Sequence, residues 1–361
     1  PRDRATATTR ATPQSRAAAM TRGLSPGQLA GQRVVYAYSG LRPPGSLLRA
    51  IRRGEAGGVI FFSWNIRSIG QIHGVIERLQ RASLASPLHD RLLMMTDQEG
   101  GEVRRLPGAP TLSEKQIGDS PDGTRLARSA GRNAAAVLRS AGMNVNLAPV
   151  LDVYRHAGDF IDEYARSYSG DPGTVARLAG TFIGAQQAAG VAATAKHFPG
   201  LGAAARSQNT DERPVTLGVP LARLRGDDEA PYHAAISAGV KLVMTSWARY
   251  PALDGARPAG LSPTVIQGEL RGRLGFRGVT ITDAIGAGAL APFGPPGTTS
   301  VIAARGGADL ILCAGTGPHD SSSLEGLTVT HALAAAMADG RLPRSGSVAA
   351  VARILALKAR P

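Results

Sequence analysis

Cysteine is almost missing from this chain: Cys313 is the only one among 361 residues. An intramolecular disulfide is therefore impossible, and the redox compartment stays open. Its place in the apolar run Ala308-Asp309-Leu310-Ile311-Leu312-Cys313 marks it as a core residue rather than a reactive thiol. No stretch approaches the roughly 20 apolar residues of a membrane span, so no spanning helix is expected. No aromatic-interleaved basic run and no nucleic-acid module accompanies the net charge of +14. The excess arginines are scattered over helices and loops, so nucleic acid is not an expected partner. A general preference for Arg, Ala and Gly explains them first, a surface suited to an anionic cell envelope second, and solubility third. No His/Cys cluster has metal-ligand spacing, so no metal is expected. The sequence carries no mark of oligomeric state.

What is present is enough apolar material, 43% of the chain, to bury a full core at this length. From Gln32 onward, short apolar runs of β character alternate with longer helix-like stretches, the pattern of βα units around a parallel sheet. The runs are Val34–Tyr38, Gly58–Phe62, Leu92–Asp97, Val145–Pro149, Val191–His197, Lys241–Thr245, Val279–Asp283 and Asp309–Ala314. Helix patterns lie between them at Ile69–Ala82, Arg125–Ala141, Thr174–Ala189 and Thr264–Leu274, several closed by glycine. Eight units fit a closed α/β barrel of the (β/α)8 TIM type better than an open doubly wound sheet. No repeat or linker divides them, so one catalytic domain over residues 26–361 is expected.

Ahead of it, Arg2 to Arg22 is a polar Thr/Ala/Arg-rich run without apolar periodicity, in a chain that opens on Pro1. Residues 1–25 therefore read as a basic disordered tail left after processing or trimming. A secreted or cell-envelope location is expected, with a cytoplasmic one still open.

Unusual polar residues end the strand-like runs: Asp97, Asp152 just beyond the fourth, Lys196 and His197, and Asp283, with Trp247 after the sixth. In a (β/α)8 barrel the C-terminal strand ends converge on one mouth, where catalytic groups gather, while mid-strand side chains fill the interior. A carboxylate ending an apolar strand is rarely a packing choice, because an unpaired buried charge is costly. For Asp283 the structural alternative is a helix N-cap after the strand.

Several segments resemble glycoside hydrolase family 3, in particular its single-domain β-N-acetylhexosaminidase branch. Asp97-Gln98-Glu99-Gly100-Gly101 is similar to D-x-E-G-G, and Asn146-Leu147-Ala148-Pro149-Val150-Leu151-Asp152 to N-x-A-P-V-x-D. Arg166-Ser167-Tyr168-Ser169-Gly170-Asp171-Pro172 resembles R-S-F-x-x-D-P, and Lys196-His197-Phe198-Pro199-Gly200 resembles K-H-F-P-G. Leu261-Ser262-Pro263, Leu274-Gly275-Phe276 and Thr282-Asp283 follow in family order. The resemblance implies a retaining exo-glycosidase acting on terminal β-linked N-acetylglucosamine, or a related β-sugar, of cell-wall or chitin-derived glycans, without a cofactor. It implies Asp283 as the nucleophile that forms a covalent glycosyl-enzyme. Asp97, Arg105, Arg166, Lys196 and His197 are then implied around one sugar ring, with Glu99 and Asp152 as supports. Trp247 is expected to offer a flat face to the sugar, with core burial as its rival.

The chain departs from that branch where it matters most. After K-H-F-P-G the branch reaches D-S-H, whose His serves as acid/base. Here the loop reads Leu201-Gly202-Ala203-Ala204-Ala205-Arg206-Ser207-Gln208-Asn209-Thr210-Asp211, and none of the seven histidines lies in it. Gln208 and Asn209 cannot exchange a proton at neutral pH. Asp211 is the substitute candidate, provided the loop folds over the sugar and desolvation raises its pKa; otherwise it is a turn residue before Pro214. Two alternatives to hydrolysis follow from the missing His: a carbohydrate-binding pseudoenzyme, and a phosphorylase-like variant.

Overall fold

The computed structural model describes residues 19–315 and 323–359. Eight short strands pair in parallel, each with its neighbours in sequence, and close into a barrel. They are β1 (Val34–Tyr36), β2 (Gly58–Ile60), β3 (Leu93–Thr96), β4 (Val145–Asn146), β5 (Ala192–Phe198), β6 (Leu242–Thr245), β7 (Val279–Ala284) and β8 (Leu310–Cys313). Closure comes from β1 pairing with β8, Val34 opposite Ile311 and Tyr36 opposite Cys313. The expected (β/α)8 barrel is therefore the observed one, with strand bounds differing by a few residues.

The strands are short and apolar because both faces are buried. Val35, Leu93, Met95, Val145, Leu242, Met244, Ile281 and Leu310 fill the barrel interior. Outer-facing residues such as Val34, Tyr36, Val59 and Ile311 join one helix–strand cluster, and Ala193, Ala195 and Val243 join another. Cys313 is buried in the first of these clusters, and burial holds its thiol well above the ordinary range. Helices Ile69–Leu84, Gly123–Ser140 and Pro172–Ala188 lie close to the expected ranges. The pattern expected as an ordinary helix at Thr264–Leu274 is wound as a π-helix over Thr264–Arg273.

Residues 1–18 of the expected tail lie outside the described residues. The rest of that stretch is not tail-like: Thr21 is buried, and Met20 and Leu24 pack against Leu29, Val351 and Leu355. Two apolar side chains are too few to show periodicity in the sequence, yet they suffice to seat the segment on the last helix, Arg344–Lys358.

That last helix also closes the barrel floor, where Ile354 and Leu357 join the interior cluster. The floor is locked by charge. Asp309, fully buried before β8, accepts from Arg271 at 2.6 Å, from Arg353 at 2.6 and 3.1 Å and from the Thr280 amide at 2.9 Å. Arg33 donates to the carbonyls of Ala308 (2.6 Å) and Asp309 (3.2 Å). Burial lowers its guanidinium to about 10, so it stays charged at neutral pH. Removing one member of a buried ion cluster strands the others. Asp309→Ala is thus expected to cost about 3–5 kcal/mol in urea unfolding; a loss under about 1 kcal/mol would show that the arginines rehydrate freely without it.

Candidate active site

At the C-terminal ends of the strands lies a cavity of about 480 Å³. Asp97, Arg105, Arg166, Lys196, His197, Asp211 and Asp283 all line it. The barrel thus brings together every expected site residue except Trp247. Two irregularities in strand pairing help aim these side chains. The β5–β6 register shifts between Ala195 and Phe198, across Lys196 and His197, and the β7–β8 register shifts between Ile281 and Ala284, across Asp283. Such shifts at strand ends turn side chains out of the pleat.

One wall is a network of buried charges. Lys196 Nζ donates to Asp97 Oδ1 at 2.9 Å and contacts Glu99 Oε1 at 2.7 Å. Arg166 grips Glu99 with two bonds, Nε to Oε2 at 3.0 Å and Nη2 to Oε1 at 2.9 Å. Arg105 Nε stands 4.0 Å from Asp97 Oδ2. Burial alone would raise both carboxyls. Instead Lys196 and Arg105 hold Asp97 below its usual value, and Arg166 and Lys196 bring Glu99 down to about 2. Burial likewise opposes the charge on Lys196, but Asp97 and Glu99 outweigh it and raise its pKa. Asp97, Glu99, Lys196 and Arg166 are therefore ionised at neutral pH. After these bonds, Lys196 Nζ keeps one N–H, Arg166 keeps Nη1, and Asp97 keeps Oδ2 for a ligand.

His197 is set by Asp152, which is fully buried. Its Nδ1 lies 2.7 Å from Asp152 Oδ2, while Asp152 Oδ1 accepts from the backbone amides of His197 (3.2 Å) and Leu201 (2.6 Å). A carboxylate on Nδ1 favours the tautomer with its proton there and leaves Nε2 free. Gly202, two residues beyond Gly200, passes so close to Val153 that a Cβ would stand 2.0 Å from its carbonyl oxygen. Only glycine lets the following loop take this path.

That loop brings Asp211 to the cavity. Gln208 and Asn209 serve its backbone: Gln208 Oε1 accepts from the Ala205 amide at 2.8 Å, and Asn209 Oδ1 from the Asp211 amide at 2.9 Å. The Asp211 carbonyl accepts from Gly288 at 2.7 Å, tying the loop to the segment after β7. Desolvation in the cleft, then the charge of Asp283, raises the Asp211 carboxyl to about 6. The residue still keeps exposed surface at the rim, so a ligand that displaces water there would strengthen the shift. Asp283 Oδ1 accepts from the following amide, Ala284, at 2.7 Å. An N-cap role for Asp283 is not what is seen, since the residue lies within β7, with Ala284 its last member.

Trp247 requires correction. It is buried, does not line the cavity, and its Nε1 donates to the Ala284 carbonyl at 2.8 Å. Its ring lies against Gly260, where a Cβ would meet it at 2.4 Å. It is a prop beneath the end of β7 rather than a face for a sugar. Glu99, expected as a support, ties Arg166 to Lys196. Phe62, which ends the Gly58–Phe62 run, and Trp64, two residues beyond it, line the cavity too and were missed. Among the described residues, no group of three or more His, Cys, Asp or Glu side chains could hold a metal ion.

A parallel barrel whose mouth gathers two separate carboxylates beside a fixed set of polar donors and acceptors has the features of a glycoside hydrolase. The chain belongs to glycosyl hydrolase family 3: the model of that family's N terminal domain matches residues 29–357. It is 44% identical to an uncharacterized secreted glycosyl hydrolase of Arthroderma benhamiae over 92% of each chain. It is 33% identical to a beta-hexosaminidase of Thioalkalivibrio sulfidiphilus over 73% of this chain and 75% of that one. Among solved structures, a family 3 beta-N-acetylglucosaminidase from Paenibacillus sp. superposes with a TM-score of 0.86 at 35% identity, covering 94% of this chain. This chain spans 63% of that structure's length. A beta-N-acetylhexosaminidase from Beutenbergia cavernae gives 0.83 at 30% identity, covering 93% of this chain and 99% of its own.

The depressed Glu99 carboxyl links the site to acid stability. With its pKa at about 2 in the fold against an ordinary 4.5, it contributes stability that is fully present above pH 4.5 and is lost as pH falls toward 2. The contribution is ~3 kcal/mol. Unfolding free energies measured between these limits should fall by about that much more for the wild type than for Glu99→Gln; parallel acid limbs would contradict the assignment.

Proposed function

We propose that this chain is a retaining exo-β-N-acetylglucosaminidase that removes terminal β-linked N-acetylglucosamine from cell-wall or chitin-derived glycans, with Asp283 as nucleophile and Asp211 as acid/base. The observation that carries the proposal is the pair of carboxyls facing one cavity, one of them raised to about 6 by desolvation and by the other's charge. Environments that separate two carboxyls in this way assign the acid and the nucleophile. Membership of family 3 and the hexosaminidase relatives support the substrate class. Hydrolase relatives at these identities favour hydrolysis over the binding-only and phosphorolytic alternatives.

In the first step protonated Asp211 gives its proton to the glycosidic oxygen while ionised Asp283 bonds to the anomeric carbon and the leaving sugar departs. In the second, Asp211, now a carboxylate, takes a proton from water as water displaces Asp283 and restores the β configuration. Asp97 Oδ2, the free N–H groups of Lys196 and Arg166, and His197 Nε2 hold the ring hydroxyls. Because their partners within the protein fix them beforehand, little ordering is left for the substrate to drive. Residues 26–361 act as one catalytic unit in this reading, supported by a family match that runs almost to its end. A place outside the cytoplasm is supported by the secreted relative; no helix among the described residues is long and apolar enough to cross a membrane.

Asp211 must carry its proton in the first step, so kcat/KM for a natural disaccharide is expected to fall as pH rises through about 6. Asp211→Asn should remove that limb and cost about 10²–10⁴-fold on the disaccharide, with a far smaller loss on an aryl β-N-acetylglucosaminide, whose phenolate leaves unaided. Azide should restore turnover of the aryl glycoside by the variant, since it displaces Asp283 from the glycosyl-enzyme without needing a base. Asp283→Asn should abolish cleavage of both substrates. A disaccharide rate indifferent to Asp211→Asn would place the proton donor elsewhere, and an aryl β-glucoside cleaved faster than the N-acetyl sugar would overturn the substrate.

A further inference from the structure

Asp283 stands on a strand, but Asp211 stands on a loop, so the distance between them depends on where that loop comes to rest. The first half of the loop is held from one side. The Gly202 and Ala204 carbonyls accept from the amides of Arg155 (3.2 Å) and Phe160 (3.0 Å), and Arg206 pairs with Glu163 at 2.8 Å. These contacts come from the stretch after β4 that also brings Phe160 and Tyr164 to the cavity. They end at Arg206, five residues short of Asp211.

The second half rests on a different element. Five residues after Asp283 the chain winds into a short 3-10 helix, Gly288–Phe293. The first amides of a helix have no partner within it, and here they meet the loop. Gly288 donates to the Asp211 carbonyl at 2.7 Å, and Ala289 donates to the Thr210 carbonyl at 3.1 Å. Thr210 and Ala289 are both buried. The approach leaves no room for a side chain: a Cβ on Gly288 would stand 2.2 Å from the Glu212 carbonyl oxygen and 3.1 Å from that of Asp211. Both are backbone atoms, so no change of rotamer relieves the overlap. The φ of Gly288 lies outside the left-handed region, so clearance, rather than backbone conformation, is what calls for glycine here.

The acid loop is thereby seated on the continuation of the strand that bears the nucleophile. Retaining chemistry needs the two carboxyls at a set separation across the scissile bond. We propose that Gly288 is a positioning residue for Asp211: its bare backbone is the seat that lets the acid loop approach β7 closely enough to protonate the glycosidic oxygen. The proposal rests on the reading of Asp211 as the acid and adds what places it. An added methyl would force loop and helix apart by roughly 1 Å to reach an ordinary contact distance, and a shift of that size costs about 10²-fold where a reacting geometry depends on it.

The test is Gly288→Ala, assayed beside Asp211→Asn on a β-linked N-acetylglucosamine disaccharide and an aryl β-N-acetylglucosaminide. The ratio of disaccharide to aryl kcat/KM should fall about 10²-fold, with the disaccharide losing kcat rather than KM, because the acid acts in the transition state. In an Asp211→Asn background the same substitution should cost the disaccharide nothing further, since it acts through a group already removed. The pH limb near 6 should move down. Asp211 owes its raised value to desolvation first and then to the charges of Asp283 and Asp97, with Arg166 and His197 opposing; a carboxyl carried outward into water loses the desolvation and part of the repulsion. An unchanged ratio, equal losses on both substrates, or a loss that adds to that of Asp211→Asn would overturn the proposal. Should Gly288→Ala fail to fold, hydrogen exchange on the wild type decides: the Gly288 and Ala289 amides should exchange far more slowly than an open loop, and exchange at the open-loop rate would remove the seat. If Asp211→Asn itself leaves the disaccharide rate unchanged, the acid assignment falls instead, and exchange still judges the seat.

Discussion

Asp97, Glu99, Arg166 and Lys196 line up with little access to water, and charges so placed must neutralise one another or lose their charge. Much of the site's form follows from that constraint. Glu99 engages two cations, and Lys196 is shared between two carboxylates. Each group therefore spends part of its hydrogen-bonding capacity inside the protein and presents only the remainder to the cavity. The groups come from β5 and from the segments after β3 and β4, so the barrel must close in the correct register for the charges to meet. A neighbouring buried acid, Glu114, shows the other outcome. Burial and then the charge of Glu99 push its pKa far up, and it binds the Val150 amide rather than a cation.

The same physics separates the two carboxyls assigned to chemistry. Asp211 stands on a loop, close enough to Asp283 to feel its charge but without a salt-bridge partner of its own among the described residues. Protonation is the cheaper way for such a group to meet desolvation. In the related hexosaminidase branch a loop histidine is expected to move the proton. Here Gln208 and Asn209 instead bond the backbone of the turn leading to Asp211.

Much of this architecture could be read from the sequence because buried parallel strands are written as short apolar runs, and the polar residue that ends each run is conspicuous. Asp97, Lys196, His197 and Asp283 were legible on that ground, and Arg166 through its motif. The same rule misled at Trp247. It also follows a strand, but the chain then turns back through Arg249–Tyr250 and Asp254–Pro258, and the indole is enclosed. Pairings between distant residues were not legible: no local pattern tells Glu99 that its partners are Arg166 and Lys196. Tyr164 gave no signal, since it lies between the two motifs of its loop in a stretch without periodicity, and its position depends on bonds to another loop.

In the proposed mechanism Asp283 bonds to the sugar while Asp211 handles protons on the other side of the bond. In Asp211→Asn a substrate with a good leaving group can still form the covalent intermediate, but water attacks it without a base, so the intermediate should accumulate. Mass spectrometry of that variant, quenched during turnover of an aryl β-N-acetylglucosaminide and digested, reads the bond directly. The account predicts one N-acetylhexosaminyl addition on the peptide carrying Asp283. An addition on any other residue, or rapid turnover with no accumulation of adduct, would contradict it.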